Sequence, residues 1–586
     1  MRILALLSEA YSLLSSLGPF EWLFENIMFR PWRVKIFARD VWGPMTDVVS
    51  IGLSLLVAGL VMVEQRARRL GVSLSEAAAR KIGIAITVAA FLLYFDFFVP
   101  NTRYDNYYHR HELYHYYLGS KYFTEVGYKR LYACTAIAEV ESGRGRHIRS
   151  LKIRDLAGDN LLLPTPETYV FSDPDQCKRH FTEQRWQAFR SDVAWFEASS
   201  RGDYWDKMRE DHGYNPPPVW TMTGQVFARL APPSDPFFKI LASLDVMLQL
   251  GVILMLNWAF GWRVMTLAAV FFGCNLPANS TWTLGAFLRQ DWLFLFTAAV
   301  CLARKRQFAF AGAALAWSSL LRIFPVVAFS GVGLIMAFHW LRHRSLHRDH
   351  IRFALGALVA GTSLIAASIA VTGVDAYPDF IAHIRAHKNT PLTNNLGLEM
   401  IVAHDWDGRM AFLKDTRLDD EMSVWMSHYA GRVRAMRPVI IAVSLGVFAW
   451  MGWALRRIKR LWAGILLSLP LLMSVLCLTC YYYAFFFPLA ALSVLVPEIG
   501  PAYLALAAGS QVLTRFYWID DQYTAESYLF YAFGLCTLYA MSRPFSRARL
   551  KAWWHGEREP LAKSAEPAPV SNAFTPTNPR DRCEER

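Results

Sequence analysis

The feature that most constrains this chain is a series of apolar runs, each roughly the length of one membrane crossing. Two early examples cover residues 46–63 and 82–99. A helix of about 20 apolar residues matches the hydrocarbon thickness of a bilayer. Inside hydrocarbon, every backbone N–H and C=O must be bonded within the structure, and these runs lack the alternation of barrel strands. The sequence therefore predicts an all-α polytopic integral membrane protein.

Composition supports this fold class over a soluble one. Of the 586 residues, 54% are hydrophobic and 19% are charged, and the mean hydropathy is +0.20. Apolar residues in such long runs cannot all be buried in one soluble core. We predict about 11–13 transmembrane helices in all. The further spans lie near residues 237–258, 263–276, 291–303, 308–322, 324–340, 353–372, 438–455, 462–480, 484–497, 500–517 and 527–542.

The formal net charge of +13 comes largely from basic clusters between the apolar runs. Lys and Arg accumulate in cytoplasmic loops of membrane proteins, so these clusters are topology signals and do not indicate a nucleic-acid partner. A Gly-rich phosphate loop, which would indicate a nucleotide site, is missing from the sequence. We place in the cytoplasm the clusters within residues 66–81, 304–306, 342–352, 456–460 and 547–551.

This orientation divides the chain into five parts. The first part is interfacial, and its residues 3–28 either cross the membrane or lie along its surface. The last part is polar and Pro-rich, which predicts a disordered cytoplasmic tail. The parts are an interfacial N-terminal segment (1–45), the first two spans (46–100), a large extracytoplasmic loop (101–235), a multi-span membrane domain (236–542) and the tail (543–586).

The eight cysteines show no CxxC…CxxC pattern, which argues against a zinc ribbon. Cys134 and Cys177 share the large loop. In an extracytoplasmic loop they can form a disulfide, and two free thiols are the equally weighted alternative.

The densest group of functional side chains follows the second span, within residues 95–132. Carboxylates and imidazoles at a membrane edge are costly unless they are hydrated, paired or used. The structural alternative is an interfacial aromatic belt with polar groups that reach to water. The group contains Asp96, Asp105, Tyr108, His109, His111, Glu112 and His115.

Residues 111–115, HELYH, match the H-E-x-x-H motif. In that motif two histidines one helical turn apart bind zinc and the glutamate activates a water. The motif fixes only three residues, and no third ligand is identifiable nearby, so we assign no metal ligand. The aromatic run around it suits contact with a sugar or a lipid at least as well. A zinc peptidase is therefore a minor alternative.

Two later outward loops also concentrate polar groups. Arg289 and Asp291 precede one span, and Arg322 lies in otherwise apolar sequence. A lone arginine at membrane depth usually faces a partner or a cavity. The segment HIRAHKNTPLTNNLGL has cations and amides that suit a phosphate, with an ordinary solvated loop as the alternative. Its candidate residues are His387, Lys388, Asn394 and Asn395.

The arrangement resembles a known family. A carboxylate follows an early helix, a long outer loop comes next, and F-L-R-x-D-W (287–292) and Y-Y-Y-x-F-F-F-P (481–488) segments appear later. Over most of residues 80–540 the chain resembles the glycosyltransferase C superfamily, and within it the polyprenol-phosphate-sugar-dependent enzymes related to bacterial mannosyltransferases. The resemblance implies a GT-C fold and sugar transfer from a polyprenyl-phosphate lipid to a glycan, lipid or protein hydroxyl.

The resemblance also implies roles for individual residues. The family's usual base, an acidic residue of the first outer loop, falls on Asp105, with Asp96 and Glu112 as substitutes. Candidates for the donor phosphate are Arg289, Arg322, His387 and Lys388. Candidates for substrate contact are Tyr108, His109, His111, His115, Asp291, Asn394, Asn395 and Tyr482.

Two departures from the family pattern bear on these assignments. An extra span precedes the catalytic loop, and that loop has 135 residues, so the choice among the three carboxylates stays open. No cofactor is assigned, and a divalent cation is left as an option. Direct displacement would invert the anomeric configuration.

A multi-span transporter is the main rival, because polar groups among many spans are also typical of that class. Against it, the two halves of the chain show no internal repeat, and the polar groups gather at one face. A structural or assembly protein is a further alternative. We expect a multi-pass protein of the inner (plasma) membrane, with its active site on the extracytoplasmic side.

Overall fold

The computed structural model describes residues 42–70, 72, 75–95, 107–173, 175–514, 516 and 521–542. This part of the chain is mostly helical, with two short two-stranded sheets. The predicted interfacial segment, apart from residues 42–45, and the predicted tail lie outside the described residues, as do Asp96 and Asp105.

The first two spans form a helical pair. Helix α1 covers Trp42–Arg69 and helix α2 covers Glu76–Tyr94. The Ser75 side chain caps α2 by accepting a hydrogen bond from the Ala78 N–H at 3.2 Å. Helix α1 begins four residues before the predicted 46, and α2 ends five residues before the predicted 99.

Residues 107–234 fold into a segment of short helices that contains no candidate span among its described residues. Its three longest helices are α3 (Leu131–Glu139), α4 (Glu183–Ser199) and α5 (Pro218–Ala228). Strands β1 (Ile153–Arg154) and β2 (Leu162–Leu163) pair antiparallel, with Ile153 opposite Leu163. Shorter helical turns cover Arg110–Leu113, Tyr114–Leu118, Gly119–Lys121, Phe123–Val126, Val140–Arg144, Gly145–Ile148, Glu167–Phe171, Lys178–His180, Gly202–Lys207 and Met208–Glu210.

The interior of this segment is aromatic and is cross-linked. Cys134 of α3 forms a disulfide with Cys177, which confirms one of the two alternatives left open by the sequence. The Tyr114 ring packs edge-on against Trp205 at 5.1 Å. A buried ion pair joins Lys121 to Asp192 at 2.7 Å. Together these contacts hold many short turns in one arrangement.

The membrane domain follows as a long series of helices. They are α6 (Asp235–Phe260), α7 (Trp262–Cys274), α8 (Asp291–Arg304), α9 (Phe308–Leu321), α10 (Ala328–His343), α11 (Arg348–Thr372), α12 (Ala376–Lys388), α13 (Ser423–Leu455), α14 (Leu461–Leu467), α15 (Leu469–Val475), α16 (Ile499–Leu513) and α17 (Asp521–Ser542). Short helices cover Ser280–Thr283, Phe324–Val327, Leu398–Ala403 and Met410–Leu413, and a 3₁₀ helix covers Cys480–Val494. Strands β3 (Asn395–Leu396) and β4 (Leu478–Thr479) pair antiparallel.

Six described helices are long and apolar enough to cross a membrane, which shows membrane-type helical character. They are Thr46–Arg68, Glu76–Tyr94, Asp235–Phe260, Phe324–His343, Arg348–Thr372 and Ser423–Leu455. Five further apolar helices are shorter, at 10–17 residues. The predicted span 462–480 is interrupted beside Pro470 and ends in β4, because Pro lacks the N–H that continues a helix.

The predicted outer loop 373–437 also contains regular structure. Helix α12 lies within it, and α13 begins at Ser423, well before the predicted span start at 438. Polar residues at both positions concealed these helices, since the prediction depended on apolar runs.

Close helix packing depends on small residues. At the contact between α9 and α11, a Cβ on Gly312 would lie 2.0 Å from the Phe353 carbonyl oxygen, and one on Gly356 would lie 1.9 Å from that of Ala309. Only glycine permits backbones to approach this closely, as is typical between membrane helices. Elsewhere on α11, several large apolar side chains are exposed, among them Leu355, Leu358 and Val359.

The disulfide gives a first prediction. Replacing Cys134 by Ser should destabilise the protein by about 4 kcal/mol, because the bond closes a loop of 43 residues. The melting temperature of the detergent-solubilised protein, followed by tryptophan fluorescence, measures this loss. A reducing agent should lower the wild-type value to that of the variant and leave the variant unchanged. Cys536→Ser, at an exposed free cysteine, is the matched control.

Candidate functional site

The candidate site is built on residues 107–118, directly after the undescribed stretch. Tyr107 has a positive φ of 65°, and the His109 N–H donates to the Gly285 carbonyl at 2.8 Å. An α-helical turn, Arg110–Leu113, then widens into a π-helical turn, Tyr114–Leu118. Such turns are rare and are found frequently at functional sites.

Gly285 allows the loop between α7 and α8 to contact this segment directly. Its φ is +74°, and a Cβ there would lie 2.5 Å from the Tyr107 carbonyl oxygen and 2.8 Å from the Tyr108 Cα. Two backbones therefore touch with no side chain between them. The contact sets the distance between the HELYH segment and Arg289, four residues further along the loop.

Glu112 and Arg289 form a nearly buried ion pair across this contact. The Arg289 Nε lies 3.1 Å from the Glu112 Oε2, and the side chains are 4% and 14% exposed. Arg289 also donates from Nη1 to the Tyr116 hydroxyl. Its guanidinium lies 4.7 Å from the Tyr116 ring centroid and 4.9 Å from that of Tyr481. The structure thus brings together residues from three predicted outer segments.

Arg322 is the second buried cation of the site. It lies between α9 and the Phe324–Val327 turn, and its residue is 6% exposed. Its Nη1 donates to the Leu321 carbonyl at 2.7 Å. Its Nε and Nη2 are buried and have no hydrogen-bond partner among the described residues. The guanidinium lies 5.9 Å from the Trp220 ring centroid, and Trp220 in turn packs on Tyr116.

Among the described residues, Asp291 has a buried acceptor atom without a donor, whereas Arg322 has buried donors without an acceptor. Its Oδ1 accepts from the Trp292 N–H at 2.7 Å, while its buried Oδ2 has no partner in the described part of the chain. Asp291 and Arg322 interact electrostatically. The Tyr482 ring lies 6.1 Å from the Trp292 ring and 4.9 Å from Phe324, which borders Arg322 in sequence. Donors and acceptors without partners therefore lie near the same aromatic side chains.

The two predicted amides reach this region through the sheet β3–β4. Asn395 pairs with Thr479, and the Asn394 carbonyl accepts from the Cys480 N–H at 2.8 Å. This places both residues next to Tyr481 and Tyr482 along the backbone. The side-chain oxygen of Asn395 is buried and unpartnered among the described residues.

The structure separates the other two phosphate candidates from the two arginines. The His387 ring lies 4.5 Å from that of His212, the residue that follows Asp211. Lys388 is exposed, and its charge acts on Cys477. No described contact joins either residue to Arg289 or Arg322. The sequence grouped them only because helix α12 precedes the Asn394–Asn395 loop.

A candidate metal centre lies beside the ion pair. His111, His115 and Asp211 each offer one ligand atom, and these atoms lie within 4.8 Å of one another. The His111 Nε2 is 3.7 Å from the Asp211 Oδ2. The HELYH motif thus has a third ligand. Asp211 lies about a hundred residues after the motif in sequence, so the ligand cannot be identified near the motif and comes close to it only in the folded chain.

The electrostatic environment favours the protonation states in which two of these groups, His115 and Asp211, can bind a metal. Burial, with the nearby His111, lowers the pKa of His115 to about 3, which leaves a neutral imidazole. Partial burial opposes ionisation of Asp211, but His111, His115 and His212 outweigh it and hold the pKa of that carboxyl below its usual range. In this structure the His115 Nε2 is within 2.7 Å of the Tyr132 hydroxyl. Metal binding would therefore displace that hydrogen bond.

The remaining predicted residues border these clusters. The His109 and His111 rings are 5.9 Å apart, and the Tyr108 hydroxyl donates to Asp235 at the start of α6. Tyr116, Trp220 and Tyr481 were missed as site residues. Tyr116 and Tyr481 are members of aromatic runs, which are equally typical of a core, and Trp220 follows three prolines and a valine with no functional signal.

Comparison with protein-family models, curated proteins and solved structures gives no match. The function must therefore be inferred from the chemistry of the site itself.

Gly285 supplies a prediction about assembly of the site. Gly285→Ala should destabilise the protein by about 1–3 kcal/mol, because the new methyl group meets backbone atoms that cannot move aside. Gly361→Ala on α11 is the control, since a Cβ there has nothing within 4 Å. Thermal unfolding compares them. Equal melting temperatures for the two variants would show that the loop contact contributes no stability.

The triad predicts metal binding by the large segment. Protein freed of metal with a chelator should bind zinc, and His111→Ala and Asp211→Asn should each remove one equivalent. His180→Ala, at an exposed position of the same segment, should bind as the wild type does. Elemental analysis after desalting measures the stoichiometry. Unchanged zinc content in both triad variants would eliminate this centre.

Proposed function

We propose that the protein is a membrane glycosyltransferase that moves a sugar from a polyprenyl-phosphate donor to a glycan, lipid or protein acceptor. The observation that carries this proposal is the Arg322 guanidinium, which is buried with two nitrogens unpartnered among the described residues. A buried cation that lacks partners is destabilising, so an anionic ligand is expected there. A phosphate oxygen can accept from both nitrogens.

The acceptor atoms nearby favour a sugar phosphate over a simple phosphate. Asp291 Oδ2 and Asn395 Oδ1 are both buried without donors in the described structure. Several sugar hydroxyls could donate to both of them, whereas an inorganic phosphate dianion, HPO4²⁻, has a single proton to give. The aromatic side chains Tyr116, Trp220 and Tyr482 would line such a ligand, as is usual in pockets that bind small molecules.

The chemistry would be a displacement at the anomeric carbon. A carboxylate takes the proton of the acceptor hydroxyl, whose oxygen forms the new bond to carbon. The bond from that carbon to the phosphate oxygen breaks, and polyprenyl phosphate leaves with the electron pair. Arg289 and Arg322 would stabilise the charge that develops on the leaving phosphate. This direct route inverts the anomeric configuration.

The ion pair bears on which carboxylate is the base. Glu112 is paired with Arg289, so the pair would have to separate before its Oε2 could take a proton from an acceptor hydroxyl. This favours Asp105, the primary sequence candidate, with Asp96 as its substitute. His387 and Lys388 stay predictions for phosphate contact, and the role of Arg289 is divided between Glu112 and the donor.

A divalent cation is compatible with this proposal. His111, His115 and Asp211 would hold it, and it would add positive charge next to Glu112, the sequence neighbour of His111. The same triad favours a second candidate, a zinc-dependent hydrolase, because H-E-x-x-H with a third ligand is a hydrolytic set. The hydrolase needs Glu112 as its base, and the pairing with Arg289 opposes that role.

The proposed active site faces the extracytoplasmic side of the plasma membrane. Two observations support this orientation. The basic clusters lie in loops at the opposite ends of α1, α10 and α13 from the site. The disulfide Cys134–Cys177 is in the site's own segment, and disulfides persist in oxidising compartments.

The central test is transfer by purified protein in nanodiscs. Radiolabelled polyprenyl-phosphate sugars and a membrane glycolipid extract serve as donor and acceptor. We expect Asp105→Asn to lose about 100-fold or more of the turnover while it still binds donor lipid, because a general base contributes this much. Arg322→Gln should weaken donor binding as well as turnover. Arg80→Gln, an exposed cation on α2, is the matched control.

Other outcomes would replace the proposal. Loss of turnover in Glu112→Gln alone would identify Glu112, the carboxylate of the ion pair, as the base. Wild-type protein that transfers nothing but accumulates a substrate inside vesicles would be a transporter. Zinc-dependent cleavage of peptides, abolished in Glu112→Gln, would identify the hydrolase.

A further inference from the structure

A second cluster of histidines lies far from the site, where α10 ends and α11 begins. The sequence there is HWLRHRSLHRDH, with histidines at positions 339, 343, 347 and 350. His339 and His343 are four residues apart on α10 and so share one face. His347 caps α11, and His350 is one turn inside it. Three to five intervening residues are typical of paired zinc-binding histidines, and three separate His339 from His343.

We propose that these four histidines form a zinc-binding site that joins α10 to α11. The His339 ring centroid lies 4.6 Å from that of His343, 5.5 Å from that of His347 and 5.2 Å from that of His350. Imidazoles that share one tetrahedral zinc, with Zn–N bonds of about 2.0–2.1 Å, have centroids about 5 Å apart. The separations therefore already match coordination.

A cavity of about 220 Å³ lies among these rings and also contacts Asp349. His350 is 7% exposed, and its Nδ1 is buried with no partner among the described residues. An imidazole nitrogen left without a partner beside a cavity indicates a missing ligand. His347 accepts the Asp349 N–H through Nδ1 at 3.2 Å, so this hydrogen bond must break before His347 can offer a nitrogen lone pair to a metal.

The rings must turn when the metal binds. In the described residues, only the His111 triad has all its ligand atoms within 4.8 Å of one another. His343 and His347 are exposed, so their rings can rotate without disturbing the core. His339 and the buried His350 supply the inner half of the site.

The alternative ligand of a basic cavity is an anion, since Arg342, Arg456 and Lys459 also line it. Two of these cations are already engaged. Arg342 donates to the Arg456 carbonyl at 2.9 Å, and Arg456 donates to the Trp453 carbonyl and stacks on the Trp453 ring. An anion in this cavity would therefore have to displace contacts that these two arginines already make.

The position of the site predicts a structural effect. Helix α10 continues from Arg322 through the Phe324–Val327 turn, so its two ends connect the proposed site of sugar transfer to the histidine cluster. Zinc would pin the end of α10 to α11. The inference rests on the cluster alone and does not depend on the transferase proposal.

The test uses full-length protein in detergent, purified through a tag that lacks histidine and stripped of metal with a chelator. Zinc is titrated against a fluorescent zinc indicator. His350→Ala and His339→Gln should each bind one equivalent fewer than wild type. His111→Ala separates this site from the first, because a double variant with His350→Ala should lose both equivalents. His180→Ala is the control.

Zinc should also raise the melting temperature of the His111→Ala variant, whose only remaining proposed site is the histidine cluster. A monodisperse elution profile for every variant ensures that loss of binding is not loss of folding. Equal zinc binding by wild type and His350→Ala would overturn the proposal. So would stabilisation by inorganic phosphate in the absence of any zinc binding at the cluster, which would assign the cavity to anions.

Discussion

The ion pair between Glu112 and Arg289 is the contact on which the site depends. It joins the segment that follows the second span to the loop between α7 and α8, and both side chains are nearly buried. Asp245 fixes the same loop by accepting the N–H groups of Arg289 and Gln290, each at 3.0 Å. Removing one member of a buried pair costs about 3–5 kcal/mol, because the other charge is left unpaired.

Within the described residues, some polar side chains around this pair have hydrogen-bond partners for their buried atoms, and others do not. Arg289 has a carboxylate, a hydroxyl and two aromatic rings as neighbours. Arg322, Asp291 and Asn395 each retain buried atoms without partners in the described part of the chain. Folded proteins pair most buried polar groups. At Arg322, Asp291 and Asn395, these buried atoms are the ones to which the proposed sugar-phosphate ligand would bond.

Contacts between residues far apart in the chain are the features that the sequence could not predict. The HELYH motif could be identified from the sequence, but its third ligand, Asp211, could not. The residues around Asp211 carry no motif, and it approaches His111 and His115 only in the folded chain. Proximity along the chain does not mean shared partners: His387 and Asn394 are close in sequence, yet the first packs on His212 and the second bonds to Cys480. The histidines from 339 to 350 carried no prediction, because the arginines among them had already been interpreted as a topology signal.

By itself, the sequence determined the membrane class, the positions of the main apolar helices, the basic loops and most residues of the candidate site. These follow from local composition, since hydrocarbon requires long apolar helices whatever their neighbours. Only the tertiary structure decided which outer segments meet, that Arg289 has an ion-pair partner while two Arg322 nitrogens lack a hydrogen bond among the described residues, and that Asp211 joins His111 and His115. Those outcomes depend on residues far apart in the chain, whose contacts arise from helix packing and from the turn at Gly285.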